Sequence, residues 1–470
     1  MIRLRRPKGC PPGPTPLPVI GNVYNLAKGD MVEVFRNLRQ KYGDIFSLSL
    51  GPFWVIVVNG ADNLRELLVK RAEFTSDRPQ FYLVQIFDNK GIAAASGLEW
   101  KQQRTFALSK LRDFGFGRRS FESRIMEEAE VFFNLLESYH GEPLDISGIV
   151  NISMSNIVMS ISIGRRFDYE DPEFKTFIGY LNENVKNVAV AGVLNFMPFL
   201  AKLPGDLFKG KKTKLNIDAT MNFLRNKIKE HEESFDENNI RDFIDIYLKE
   251  MKGQHSTENN IFTDQQLLCI IGDLFAAGTE TTATAIKWAV MFLMNYPDVQ
   301  RKMRKEIDDT VGSGRHISMS DKPNLPYCEA VILESLRLGN IVPFSLPHLV
   351  SDDISIKGYT LPKGSVIFPV LDSVAHDEEL FPDNNEFNPE RFLDTNGKVC
   401  GQEKLLTFSL GRRVCLGESL ARMELFLYLT SMVQRFEFLP PEGQNPPPIK
   451  GVLGLTYGPA PYTFRAVSRR

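Results

Sequence analysis

Phe408-Ser409-Leu410-Gly411-Arg412-Arg413-Val414-Cys415-Leu416-Gly417 sets one cysteine between two glycines, directly ahead of an apolar-periodic run, Glu418 to Phe436, whose spacing predicts a helix. Free backbone N–H groups and the positive end of the helix dipole stabilise a thiolate at such a point. Gly411 and Gly417 carry no side chain, so the backbone can close around the sulfur. Arg413 adds a fixed positive charge suited to a carboxylate. One thiolate in this nest suits the axial position of a haem iron, whose porphyrin supplies four other ligands. Zinc and iron–sulfur sites need several cysteines, and the nearest other one, Cys400, stands alone fifteen residues upstream. The plain alternative is a buried free cysteine at a helix start.

A second stretch carries chemistry. Thr263-Asp264-Gln265-Gln266 matches a capping box, and helical residues run on to Asn295 before Pro297, a predicted helix of thirty-two residues. At about 1.5 Å per residue it crosses a domain of this size. Its middle, Ala276-Ala277-Gly278-Thr279-Glu280-Thr281-Thr282, is a poor helix interior, because glycine costs about 1 kcal/mol relative to alanine and threonine is mediocre. Ala277 and Thr281 share a face at i and i+4, so the hydroxyl can bond back to carbonyl 277. Small residues leave room for a diatomic molecule, and a hydroxyl beside the acid Glu280 can relay protons through water. A polar helix stripe is the alternative.

The F-x-x-G-x-R-x-C-x-G pattern of Phe408, Gly411, Arg413, Cys415 and Gly417 resembles the haem-binding loop of the cytochrome P-450 superfamily. The Ala277-Gly278-Thr279-Glu280-Thr281 segment resembles its acid–alcohol motif. Glu334 and Arg337 form an E-x-x-R, with the glutamate 81 residues before the cysteine, and Phe387 to Phe392 resembles the segment whose arginine, here Arg391, completes a Glu-Arg-Arg cluster. On residues alone E-x-x-R is as well explained by a surface ion pair. Trp100 and Arg104 match the family's W-x-x-x-R, and His348, Arg413 and, less closely, Arg78 match its haem-propionate positions. The hinge, Leu346-Pro347-His348 and Gly411 to Arg422 are most similar to microsomal enzymes of family 2.

The resemblance implies a mainly α fold with a small β-rich lobe and haem b between the long central helix and the helix after Cys415. Cys415 is then the axial iron ligand, and Ala277, Gly278, Glu280 and Thr281 are the oxygen-activating residues. Asp273, Ala276, Ala277, Val342, Phe344, Leu346 and Leu453 would line a substrate pocket, Asp273 being a possible polar anchor. The implied activity is oxygen insertion into a lipophilic substrate (xenobiotic, steroid or fatty acid), with electrons from NADPH through a separate flavoprotein, NADPH–cytochrome P-450 reductase, and cytochrome b5 as a further donor. A haem-thiolate isomerase or dehydratase acting on peroxides without a reductase is the alternative, and a haem sensor a third class.

Composition fits a single enzyme domain. Hydrophobic residues make up 43% and charged residues 24%, and the net charge of −2 gives no reason to expect nucleic acid. Five cysteines without a C-x-x-C argue against a disulfide framework. No stretch reads as a membrane span, and Ile146 to Gly164, with its five serines, reads as a core helix. Residues 1–22 read as a stiff, unpaired hinge, with Arg3, Arg5, Arg6 and Lys8 ahead of Pro11-Pro12-Gly13-Pro14, and residues 23–470 as one catalytic domain. In microsomal relatives such a hinge follows an anchor helix, missing from this chain, so the expected location is the cytosolic face of the endoplasmic reticulum membrane. Asn187 to Ala201 is expected to meet the bilayer surface, with an interior helix–loop as the alternative. Residues 101–124 hold seven basic side chains against Asp113 and Glu122, an expected docking face for an acidic reductase or simply a solvated one.

Overall fold

The helical periodicity becomes eleven long helices among the described residues of a computed structural model, which are 5–26, 29–86, 88–115, 119–254 and 261–469. They are α1 (Met31–Tyr42), α2 (Gly97–Asp113), α3 (Glu122–Ser138), α4 (Ser147–Ser162), α5 (Pro172–Ala191), α6 (Gly210–Glu233), α7 (Phe243–Gln254), α8 (Asp264–Asn295), α9 (Pro297–Thr310), α10 (Pro326–Gly339) and α11 (Glu418–Arg435). Thr263 caps α8 by accepting a hydrogen bond from the Gln266 N–H at 3.2 Å, and Pro297 opens the next helix at once. Most of α8 is buried, including the polar side chains Thr279, Glu280, Thr282 and Thr284 at its centre. Its glycine is a packing device: a Cβ on Gly278 would come within 2.7 Å of Val158, so the missing side chain lets α4 lie close. α4 is the serine-rich core helix the sequence predicts, and no helix among the described residues is long and apolar enough to cross a membrane.

The β-rich lobe is a four-stranded sheet of β1 (Ile45–Leu50), β2 (Phe53–Val58), β3 (His348–Leu349) and β4 (Val366–Pro369), in the order β1-β2-β4-β3. β2 and β4 run parallel, with Val55 opposite Val366, and the other pairs are antiparallel. β3, the last strand in this order, places His348 at the sheet's edge. Near the carboxy terminus a small hairpin, β5 (Gly451–Leu453) with β6 (Tyr457–Pro459), lies against α8, where Trp288 donates to the Tyr457 carbonyl at 2.8 Å.

The amino-terminal segment departs from expectation. Pro11 and Pro12 lack N–H groups but keep their carbonyls, and these accept from Ser47 Oγ and Ser47 N, each at 2.7 Å. Arg6 bonds Gly13 O at 2.8 Å and Ser47 Oγ at 3.0 Å. The proline run is thus paired along β1 and is no free hinge, whereas Arg3 lies outside the described residues.

Candidate active site

Leu410 and the short turn Gly411–Arg413 bring the chain into position for Cys415. Cys415 N donates to Phe408 O at 2.9 Å, closing the loop. Gly411 is required elsewhere than at the sulfur: its φ is +77°, and a Cβ would lie 1.9 Å from the Leu68 carbonyl. Gly417 stands at the N-cap of α11, and its N–H and that of Glu418 act to lower the thiol's pKa. The residue is accessible at the loop's open side. Its sulfur is nonetheless ringed closely enough that burial, the largest influence, raises the thiol's pKa against these N–H groups and Arg104. Phe408 lies under the Arg422 guanidinium, 4.9 Å from ring centre.

Three guanidinium groups converge next to this loop. Arg413 is buried and donates to Ser76 O at 2.8 Å, Ile92 O at 2.9 Å and Ala95 O at 2.6 Å. Arg78 donates to Ala93 O at 3.1 Å, Leu346 O at 2.9 Å and Pro347 O at 2.7 Å, and Arg104 to Val414 O. Among the described residues no carboxylate forms an ion pair with any of the three. Burial first, then repulsion from the neighbouring arginines, pushes Arg78 down to about 9 and Arg413 down to about 8. Guanidinium groups hold their protons at neutrality, so the shifts express a demand for anions.

Two buried polar atoms beside the arginines also lack partners. Trp100 Nε1, on α2, has none, and the Arg413 guanidinium covers its ring at 3.7 Å. His348 Nδ1 must carry a proton to bond Thr75 O at 2.6 Å, while its buried Nε2 is unpaired. Burial and the two arginines hold His348 well below its ordinary pKa. Carboxylates placed here would satisfy Trp100 Nε1 and balance the arginines, and their charge would favour a second proton on His348, which Nε2 could then donate to them. The donor set fits the two propionates of haem b, and Arg78 belongs to it as fully as the others.

On α8, Ala277 is exposed between the half-buried Ala276 and Gly278, so a space opens at the helix centre. Thr281 Oγ1 donates to Ala277 O at 2.6 Å, the back-bond expected from their spacing. Glu280 is buried and turned elsewhere: its Oε1 accepts from Thr284 at 3.2 Å and Thr456 at 3.1 Å. Gly278 serves the packing of α4, as described above. Ala276 packs partly against the helical core.

Two expected pocket residues have other work. Asp273 Oδ2 accepts from Ile92 N at 2.6 Å and Ala93 N at 2.9 Å, and burial pushes its carboxyl up to about 6. It ties α8 to the loop whose carbonyls hold Arg413 and Arg78, so this oxygen is not free as a polar anchor. Phe344 meets Phe35 edge-on at 5.0 Å in the sheet lobe, because its backbone bridges to Val370. Val342 packs against the helical core, Leu346 is 52% exposed with its carbonyl held by Arg78, and Leu453 ends β5.

Glu334, Arg337 and Arg391 form one cluster. Arg337 Nε and Nη2 meet the Glu334 oxygens at 2.7 and 2.8 Å, and Arg391 Nε meets Oε1 at 3.1 Å. Glu334 and Arg337 are fully buried, and remaining guanidinium protons go to the carbonyls of Ala375, Asn384 and Glu386. The surface-pair alternative fails. Glu424 on α11, unremarked in the sequence, is a buried acid that accepts from Thr282 at 3.0 Å and has Oε1 unpartnered. Burial pushes its carboxyl up to about 8. Its place within an apolar-periodic helix was the available signal.

A sequence profile of the family described as Cytochrome P450 matches residues 11–466. The chain is 37% identical to cytochrome P450 2U1 of Homo sapiens, across 100% of this chain and 91% of that protein. It is 38% identical to cytochrome P450 2B4 of Oryctolagus cuniculus, across 98% and 94%, and 39% identical to cytochrome P450 2H2 of Gallus gallus over the same shares.

Proposed function

The chain belongs to the cytochrome P450 family, and on that premise we propose that Cys415 supplies the axial thiolate of its haem, with Trp100, Arg78, Arg104, His348 and Arg413 holding the propionates. It is an oxidoreductase of the haem-thiolate monooxygenase class. The observation that carries the assignment is the uncompensated arginine cluster with the unpaired Trp100 Nε1 and His348 Nε2 beside the Cys415 loop. The bound haem supplies redox-active iron at which dioxygen is activated. Ala277 leaves space at the centre of α8. Thr281, anchored on the Ala277 carbonyl, offers its oxygen as an acceptor and relay point, and Glu280 is the adjacent acid from which protons come. Glu334, Arg337 and Arg391 hold the surrounding chain and touch no reacting atom.

Electrons come from NADPH through a separate flavoprotein reductase, with cytochrome b5 as a second donor. Lys101, Arg112 and Arg124 are exposed on α2 and α3 and suit an acidic partner, although Arg124 also bonds Ser160 O at 2.8 Å. Arg118 lies outside the described residues. The substrate is a lipophilic xenobiotic, steroid or fatty acid. The enzyme works at the cytosolic face of the endoplasmic reticulum, and the 54% exposure of Phe199 supports a contact with the bilayer surface. Reduction under carbon monoxide tests the ligand: the wild type gives the red-shifted band from which the family is named, and Cys415→Ser loses it. Retention of that band in Cys415→Ser removes Cys415 as the ligand.

A further inference from the structure

Glu280 and Thr281 are neighbours in sequence, yet no hydrogen bond joins them. Glu280 Oε1 is held from two sides, by Thr284 Oγ1 at 3.2 Å and Thr456 Oγ1 at 3.1 Å, and these hydroxyls are themselves 3.2 Å apart. Thr284, Thr456 and Glu280 are all buried, so water does not compete for the carboxylate. Thr281 commits its single hydroxyl proton to Ala277 O. The acid is therefore parked, and its two holders differ in kind. Thr284 is one turn along α8 and moves with Glu280. Thr456 comes from the turn between β5 and β6, 176 residues away in the chain.

That turn is tight. Gly454 N bonds Thr456 O at 2.8 Å, and a Cβ on Gly454 would lie 3.1 Å from the Val185 carbonyl of α5. Leu455, immediately before Thr456, is 46% exposed, and Val452 is 53% exposed, so large apolar side chains stand uncovered on the segment that carries the parking hydroxyl. An apolar molecule that covers them gains burial on this turn.

Resting on the reading of Glu280 as the proton source, we propose that Thr456 is a positioning residue: it keeps the Glu280 carboxylate turned from Thr281 until a lipophilic molecule leaning on the 452–455 turn draws Thr456 away. Proton supply is thereby tied to occupancy of the site. Without substrate, NADPH and a proton reduce dioxygen to hydrogen peroxide only slowly, because the acid is held back.

The test uses haem-loaded full chain with reductase and NADPH and no added substrate. Thr456→Val, which keeps shape and removes the hydroxyl, raises peroxide formation about three- to tenfold. Thr456→Ser restores the wild-type rate. Crystals of haem-loaded Thr456→Val show the carboxylate swung towards Thr281, a readout independent of turnover. Thr284→Val gives the same direction and serves if Thr456→Val does not load haem. Wild-type peroxide rates in both valine variants, with the carboxylate unmoved, overturn the proposal. Glu280→Gln separates the two readings. If it leaves peroxide formation and the solvent isotope effect of NADPH oxidation at wild-type values, Glu280 is not the proton source and both readings fall. An impaired Glu280→Gln beside wild-type valine variants removes only the role of Thr456.

Discussion

The chain buries two arginine clusters, and they are opposites. Around Glu334, each donor has its acceptor: Arg337 and Arg391 share one carboxylate and spend their other protons on backbone carbonyls. Around Arg413, three guanidinium groups share only carbonyls, with no carboxylate paired to them and an indole and an imidazole nitrogen left over. The first cluster is complete as protein and holds the fold. The second lacks the dianion that would complete it. Charge balance, more than the identity of the residues, separates scaffold from site.

The largest effect that can break this contrast lies in the complete cluster. Arg337→Ala takes the bidentate partner from a fully buried Glu334 and leaves it only Arg391, at a cost of about 3–5 kcal/mol, so little folded protein is recovered with or without added haem. Size-exclusion chromatography and circular dichroism check it, and a well-folded monomer would erase the distinction. Arg104→Gln in the incomplete cluster behaves otherwise. The apoprotein melts within about 1 °C of wild type, because lost bonding is offset by relief of repulsion, while haem transfer to apomyoglobin quickens about 10- to 100-fold. Trp100→Phe is milder, with a neutral donor lost: about two- to tenfold faster haem transfer and no change in the apoprotein.

A third kind of buried charge sharpens the contrast with the smallest effect. Glu424 has neither cation nor dianion nearby and achieves neutrality by keeping its proton, with a carboxyl pushed from the ordinary 4.5 up to about 8. A raised carboxyl gives stability that is complete below the ordinary value and drains away as pH climbs through the folded one. Glu424→Gln is always neutral. Its melting temperature therefore exceeds wild type by a few degrees at pH 8.5 and matches it near pH 4.5, as calorimetry would show.

Much of this was legible in the sequence because it is local. Thr263 and Pro297 mark the ends of α8, the i, i+4 spacing announces the Thr281 back-bond, and the Cys415 loop lies within ten residues. What escaped depends on partners distant in the chain. Nothing near Asp273 says that its carboxylate faces Ile92 and Ala93, 181 and 180 residues away. Gly411 and Gly278 look like glycines of the site, yet the Leu68 carbonyl and Val158 set their need. E-x-x-R reads alike at a surface and in a core, since burial is contributed by Asn384 and Glu386, not by the motif.

The three bonds of Arg413 span 337, 321 and 318 residues of chain. At about 5–20 residues per second, a ribosome needs roughly 16–70 s to travel from the first partners to this arginine. Through that interval Trp100 and Arg104 have already left the exit tunnel, while the cysteine does not yet exist. The cradle is thus assembled from the two ends of the translation product, and prosthetic-group capture is among the last events in its biogenesis. A cell short of porphyrin would accumulate chains finished in synthesis but still open at this seam, the form that chaperones and proteases meet first.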